Sequence, residues 1–195
     1  MKRIVSVFLL ASFFGLAAAQ NCSVSEATKY FNEAQNADDE AAAELFEKAA
    51  AIFKCSNQNE NYLIAAYQSG VAYVNTDRYA KAITVLENAI ADTDGKTDAK
   101  AEVNVLIYHT LGEVFYATNN PQKSIQNYNK VLEIIGGDDS ETLAICLFNL
   151  GNAYEAASDL EAAKNCQLKS IEMKKRLEVA DNSDFYQAYS TLGST

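Results

Sequence analysis

One histidine and four cysteines are the residues of this 195-residue chain with the widest chemical reach. His109 is the single histidine, so no histidine pair can hold a metal, and the Cys/His spacings of zinc sites are absent. A Cys146–His109 dyad would need a thiolate beside a base, yet the residues around Cys146 resemble no nucleophile motif. Gly136-Gly137 lacks the Lys-Ser/Thr that completes a phosphate loop and reads as a helix-ending pair. Asp138-Asp139-Ser140-Glu141 offers oxygen ligands without the alternating spacing of a calcium loop, and reads as a capping segment. The expectation is a chain that is not an enzyme and uses no metal, cofactor or small-molecule substrate.

The elements around these residues are helical. Apolar residues make up 49% of the chain, with one proline and eight glycines to interrupt them. An all-β chain would need more frequent turn residues. Residues 1–19 follow a different pattern: Lys2 and Arg3, an apolar run from Ile4 to Leu16, then Ala17-Ala18-Ala19. This reads as a secretory signal cleaved before Gln20, too short for a membrane span of about 20 residues. An uncleaved anchor is the other reading of the stretch, and the small-residue site favours cleavage. Cys22 lacks the preceding pattern of a bacterial lipoprotein. No second hydrophobic stretch follows, so the mature chain is expected to have no membrane span and to be periplasmic or secreted. Export would remove two cations and take the net charge from −10 to −12. So acidic a chain disfavours nucleic acid and anionic lipid, and suits a neutral or basic partner.

Internal repetition organises residues 20–195. Three phrases recur: Tyr67-Gln-Ser-Gly70-Val-Ala-Tyr73, His109-Thr-Leu-Gly112-Glu-Val-Phe115 and Phe148-Asn-Leu-Gly151-Asn-Ala-Tyr154. A fourth, Tyr189-Ser-Thr-Leu-Gly193, closes the chain, and the glycines are spaced 42, 39 and 42 residues apart. After each of the first three come a turn and a second helical pattern, carrying Ala82, Ser124 and Ala163 at matching places. Pro121 suits a first helical turn, and Asn120 and Asp159 suit caps. The glycines let two helices approach closely, the aromatics three residues later fill the space beside them, and the small residues keep the facing helix near. An earlier unit keeps Ala42, Phe46 and Ala49 but has Tyr30 where the glycine belongs, as terminal repeats often do. The units fall at about 23–56, 63–96, 105–137, 144–179 and a partial 186–195.

These phrases resemble the tetratricopeptide repeat, and the resemblance covers about residues 23–195. The period of 40–42, longer than 34, and Asn149-Leu-Gly-Asn152 resemble its long-repeat branch, typified by kinesin light chains and asparagine-rich spindle scaffolds. The implied fold is all-α: a right-handed superhelix of about four and a half antiparallel helix pairs. In such an array the first helix of each pair lines a concave groove. Carried over, the groove positions are Tyr67, Val71 and Val74; His109, Glu113 and Tyr116; and Phe148, Asn149, Asn152 and Glu155. Amides there can both donate to and accept from an extended backbone, and aromatics can clasp its side chains or simply pack between repeats. The clamp for a C-terminal carboxylate is missing, since Tyr67, His109 and Phe148 stand where cations would be needed. The implied function is to bind a protein segment, extended and neutral to basic. The other reading is an N-terminal scaffold of a longer exported sensor, protease or assembly protein, because the fifth unit stops within its first helix.

The hairpin reading also bears on the cysteines. Cys22 opens the first hairpin and Cys55 closes it, so antiparallel helices bring them together and a disulfide is expected in an oxidising compartment. Cys146 and Cys166 lie on the two helices of one hairpin about a turn out of alignment, as buried thiols or a weak second pair.

Overall fold

The structure is a computed structural model that describes residues 22–93 and 101–177. The signal segment, the partial fifth unit and the acidic stretches 94–98 and 178–184 lie outside the described residues. Eight helices and no strands make up the described part. They pair as α1 (Val24–Ala34) with α2 (Asp39–Cys55), α3 (Asn59–Asn75) with α4 (Tyr79–Thr93), α5 (Ala101–Ala117) with α6 (Pro121–Ile135), and α7 (Glu141–Ala156) with α8 (Leu160–Arg176). The result is an all-α solenoid of stacked hairpins.

Local chemistry sets the helix ends. Side-chain oxygens of Ser23, Asp38, Asn120, Ser140 and Asp159 accept from backbone N–H groups in the first turns of α1, α2, α6, α7 and α8. Each satisfies a donor the helix cannot. Pro121 opens α6, where its missing N–H costs nothing. Gly136, at φ 77°, ends that helix as anticipated. The first helices of the last three hairpins end alike. The carbonyls of Tyr73, Phe115 and Tyr154 accept from Arg78, Asn120 and Asp159, five residues on, at 2.8–2.9 Å. This closing bond requires a left-handed residue, here Asp77, Asn119 and Ser158, at φ 56–65°. Asp and Asn tolerate that region, whereas serine is strained there. Ser158→Gly should therefore raise stability by up to about 1 kcal/mol, the strain relieved less the extra freedom of the unfolded glycine. A urea midpoint that falls would show the strain is absent.

The three glycines lie where hairpin partners touch. A Cβ on Gly70 would sit 2.5 Å from Leu86 Cδ2, one on Gly112 2.6 Å from Tyr128 Cε1, and one on Gly151 2.7 Å from Gln167 Cγ. Ala82, Ser124 and Ala163 are buried four residues before those three side chains. Ser124 also ties its hairpin by donating to the Gly112 carbonyl at 2.8 Å. In the first hairpin the short helix α1 carries no glycine, and Phe31 meets Phe46 edge-on at 5.1 Å instead.

Neighbouring hairpins are joined by polar bonds as well as by the apolar core. Ser69 donates to the Ala43 carbonyl at 2.9 Å, and the Tyr73 hydroxyl to Glu47 at 2.5 Å. Asp92 accepts from the Tyr62 hydroxyl of its own hairpin at 2.8 Å and pairs with Lys54 of the preceding one. Cys22 and Cys55 form the expected disulfide, with Cα atoms 5.5 Å apart. Cys146 and Cys166 are free thiols. The helices α3, α5 and α7 begin three or four residues before the anticipated unit starts at 63, 105 and 144. Part of the long repeat is thus an added turn on each first helix. No helix among the described residues is long and apolar enough to cross a membrane.

Candidate functional site

The first helices α3, α5 and α7 lie side by side, α5 touching both others. Side chains spaced three and four apart form one stripe along each. On α5 that stripe holds His109, Glu113 and Tyr116, the last 47% exposed. His109 is the centre of a small network. Its Nε2 meets the Asn149 amide nitrogen at 3.2 Å, its Nδ1 lies 3.6 Å from Glu113, and its ring stands edge-on to Tyr128 at 5.5 Å. A neutral imidazole satisfies both neighbours when Nδ1 carries the proton and Nε2 accepts from Asn149. That bond leaves the Asn149 carbonyl oxygen facing away from the histidine, as an acceptor.

Asn152 is oriented the opposite way. Gln167 Nε2 donates to its Oδ1 at 3.5 Å, which turns the Asn152 amide N–H groups outward as donors. Gln167 is 1% exposed and its Oε1 has no partner. It occupies the place that Leu86 and Tyr128 hold against the other two glycines. An unpaired buried carbonyl is costly. Gln167→Leu should therefore stabilise the chain by about 1 kcal/mol, measured by urea unfolding. A loss of stability of that size would mean the amide contributes more than its burial costs.

The other anticipated positions are placed differently. Tyr67 is half-buried; burial chiefly raises its phenol pKa, Thr110 on the next first helix works against that rise, and Glu113 adds to it. Val71 faces a cleft with Gln68, Asn75 and Phe46, while Val74 packs partly onto the core of the first two hairpins. Phe148 is half-buried with the Lys174 ammonium 5.8 Å from its ring centre. The structure thus joins His109, Glu113 and Asn149 in one cluster and leaves Val71 and Val74 apart from it.

Nothing about the thiols suits nucleophilic chemistry. Cys146 donates to the Tyr128 carbonyl at 3.6 Å, and burial, with Cys166 nearby, pushes its pKa up to about 12. A thiol held protonated is a poor nucleophile. Among the described residues, no three His, Cys, Asp or Glu side chains gather as a metal site.

Sequence reasoning missed two features of this face. Leu106 and Ile145 are large apolar side chains, 43% and 38% exposed, one turn before His109 and Phe148. Their signal was available, since both fall six residues before a repeat glycine. The second feature is charge. Helices α3, α5 and α7 contain no lysine or arginine, yet carry Glu60, Glu102, Glu113, Glu141 and Glu155. Beyond Lys29 on α1 and Arg78 in a turn, the described cations are borne by the second helices, α8 alone carrying Lys164, Lys169, Lys174, Lys175 and Arg176.

Comparisons with known proteins agree with this geometry. Two family models described as tetratricopeptide repeat match residues 64–91 and 104–176. A search of the curated proteins found no match. Among solved structures, BtubC (BKLC) from P. vanneervenii superposes with a TM-score of 0.67 at 19% identity, covering 80% of this chain and 66% of that protein. The chain therefore spans just under two thirds of BtubC. A putative kinesin light chain from Podosopora anserina, with nearly identical TPR-like repeats, gives 0.67 at 17% identity over 87% of this chain and 86% of that one. A MamA double mutant gives 0.60 at 20% identity, covering 83% and 80%. At these identities the likeness is one of fold. The family matches together span just over half of the 195 residues, and the described hairpins repeat in the same register. The chain belongs to the tetratricopeptide repeat family, whose repeats act as protein–protein interaction scaffolds.

Proposed function

We propose that this scaffold is exported and holds an extended, neutral to basic protein segment across α3, α5 and α7. The observation that carries the reading is the chemistry of these helices: five glutamates, no lysine or arginine of their own, and two asparagines turned in opposite senses by His109 and Gln167. An acceptor on Asn149 and a donor on Asn152, three residues apart on one helix, match the N–H and C=O of a peptide backbone. Export rests on the sequence of residues 1–19, and the Cys22–Cys55 disulfide supports it, because such bonds persist in oxidising compartments.

Two measurements test the reading. N-terminal sequencing of the chain recovered outside the cytoplasm should begin at Gln20; a cytoplasmic chain beginning at Met1 would overturn export. The exported chain, tagged at its C-terminus, should capture a partner whose binding drops at least about tenfold in the Asn149→Ala, Asn152→Ala double variant. Undiminished binding by that variant would remove the groove assignment.

A further inference from the structure

Three helices carry the same three-residue pattern at the same register. Glu60, Ile64 and Tyr67 stand ten, six and three residues before Gly70. Glu102, Leu106 and His109 stand so before Gly112, and Glu141, Ile145 and Phe148 before Gly151. Spacings of four and three put each trio on one stripe of its helix, with the carboxylate outermost, then the aliphatic group, then the ring. The glutamates are exposed, as are Leu106 and Ile145, while Ile64 is half-buried. Beside Leu106 a cleft of about 350 Å³ opens between α5, the end of α6 and the start of α7. Its floor is Val105, Ile134 and Ile135, and Glu102 stands at its edge. A second cleft of about 320 Å³ lies between the first two hairpins, lined by Thr28, Phe31, Phe53, Asn61 and Ile64. The recurrence across hairpins distinguishes this arrangement from a scattered exposed leucine.

We infer that these trios form a ladder that reads a repeated apolar–basic pattern, so that the segment held in the groove presents one aliphatic and one basic side chain to each first helix. The inference rests on the groove reading and deepens it by naming the partner's sequence chemistry. Charge complementarity selects the occupant. A row of glutamates beside a row of aliphatic groups, on helices that carry no lysine or arginine, pairs with lysine or arginine next to leucine, isoleucine or phenylalanine. Geometry sets the period. Packed helices lie about 9 Å apart, and a chain in the polyproline II form advances about 3.1 Å per residue and brings every third side chain to one side, so one first helix corresponds to about three residues of the partner. Isoleucine or leucine in a cleft of this size excludes water from the neighbouring carboxylate and strengthens its attraction for the cation.

The test uses fluorescein-labelled peptides of repeated Leu-Ser-Lys triplets, with Gly-Ser-Lys and Leu-Ser-Glu repeats as controls, titrated into the exported chain and read by anisotropy. Leu-Ser-Lys should bind at least about tenfold more tightly than either control, and the Leu106→Ser, Ile145→Ser variant should lose that advantage. Glu102→Gln with Glu141→Gln should flatten the salt dependence of its binding. Both pairs are exposed, and helical circular dichroism confirms that the variants fold. Equal binding of Gly-Ser-Lys and Leu-Ser-Lys, no binding of either, or indifference to the Leu106 and Ile145 changes would each overturn the ladder. The partner captured through the groove separates the two failures. If its binding needs Asn149 and Asn152 but survives Leu106→Ser with Ile145→Ser, the ladder falls and the groove stands. If it is indifferent to all four, the groove reading falls too.

Discussion

Tyr128→Ala should cost about 3–5 kcal/mol, a large share of the roughly 5–15 kcal/mol that holds a domain together. Tyr128 is 2% exposed, packs under Gly112 and meets His109 edge-on, so its loss empties the centre of the third hairpin and unseats the groove histidine. The companion substitution makes the argument sharper. In the native chain Gly112→Ala gains about 1 kcal/mol of helix propensity but drives its methyl into a ring, at an overpacking cost of about 1–3 kcal/mol. The ring carbons Cε1 and Cζ lie 2.6 and 2.8 Å from that methyl. With Tyr128 already replaced, the same methyl enters an empty space and should stabilise. Urea unfolding of the four-member cycle should show that change of sign. A penalty of equal size in both backgrounds would mean that the glycine is needed for some reason other than the ring.

The second large effect is local. Replacing Cys22 and Cys55 by serine opens a loop of 33 residues, for which the chain-entropy relation gives about 3–4 kcal/mol. The loss should fall on the first hairpin. α1 has 11 residues, below the roughly 12–15 at which an isolated helix becomes marginal, and no glycine draws it against α2. Hydrogen exchange should show α1 amides losing protection while those of α5 to α8 keep theirs. Uniform loss along the array would contradict a locally acting staple, and unchanged α1 protection would show that Ala27, Phe31 and Ala34 suffice without it.

The hairpins were legible in the sequence because their contacts demand particular residue types. Gly70, Gly112 and Gly151 touch side chains that leave no room for a Cβ, and that demand recurs in three of the four described hairpins. Pro121, Asn120 and Asp159 marked helix starts for equally local reasons, and the Cys22–Cys55 pairing followed from hairpin closure. Less was legible where the demand was loose. An added helical turn and a longer connector have the same effect on the period, so Asn59, Ala101 and Glu141 were not recognisable as starts. Ser158 adopts a left-handed conformation that its type does not announce, because the closing bond from Asp159 to Tyr154 imposes it. Of the groove residues, Asn149 and Asn152 were visible as amides, but their orientations depend on His109 and on Gln167, 15 residues further along the chain from Asn152. No spacing rule reveals that.

Apart from the described ends, every substantial helix–helix contact runs within a hairpin or to the next one. Each hairpin thus answers only to its immediate neighbours, like a link in a chain rather than a stone in an arch. The first could exchange its glycine for Tyr30 and a disulfide without any adjustment in α7 or α8. Inheritance can therefore edit such an array link by link. A whole hairpin could be duplicated, deleted or traded wherever both neighbours still find a matching face, lengthening or shortening the reading surface in whole steps.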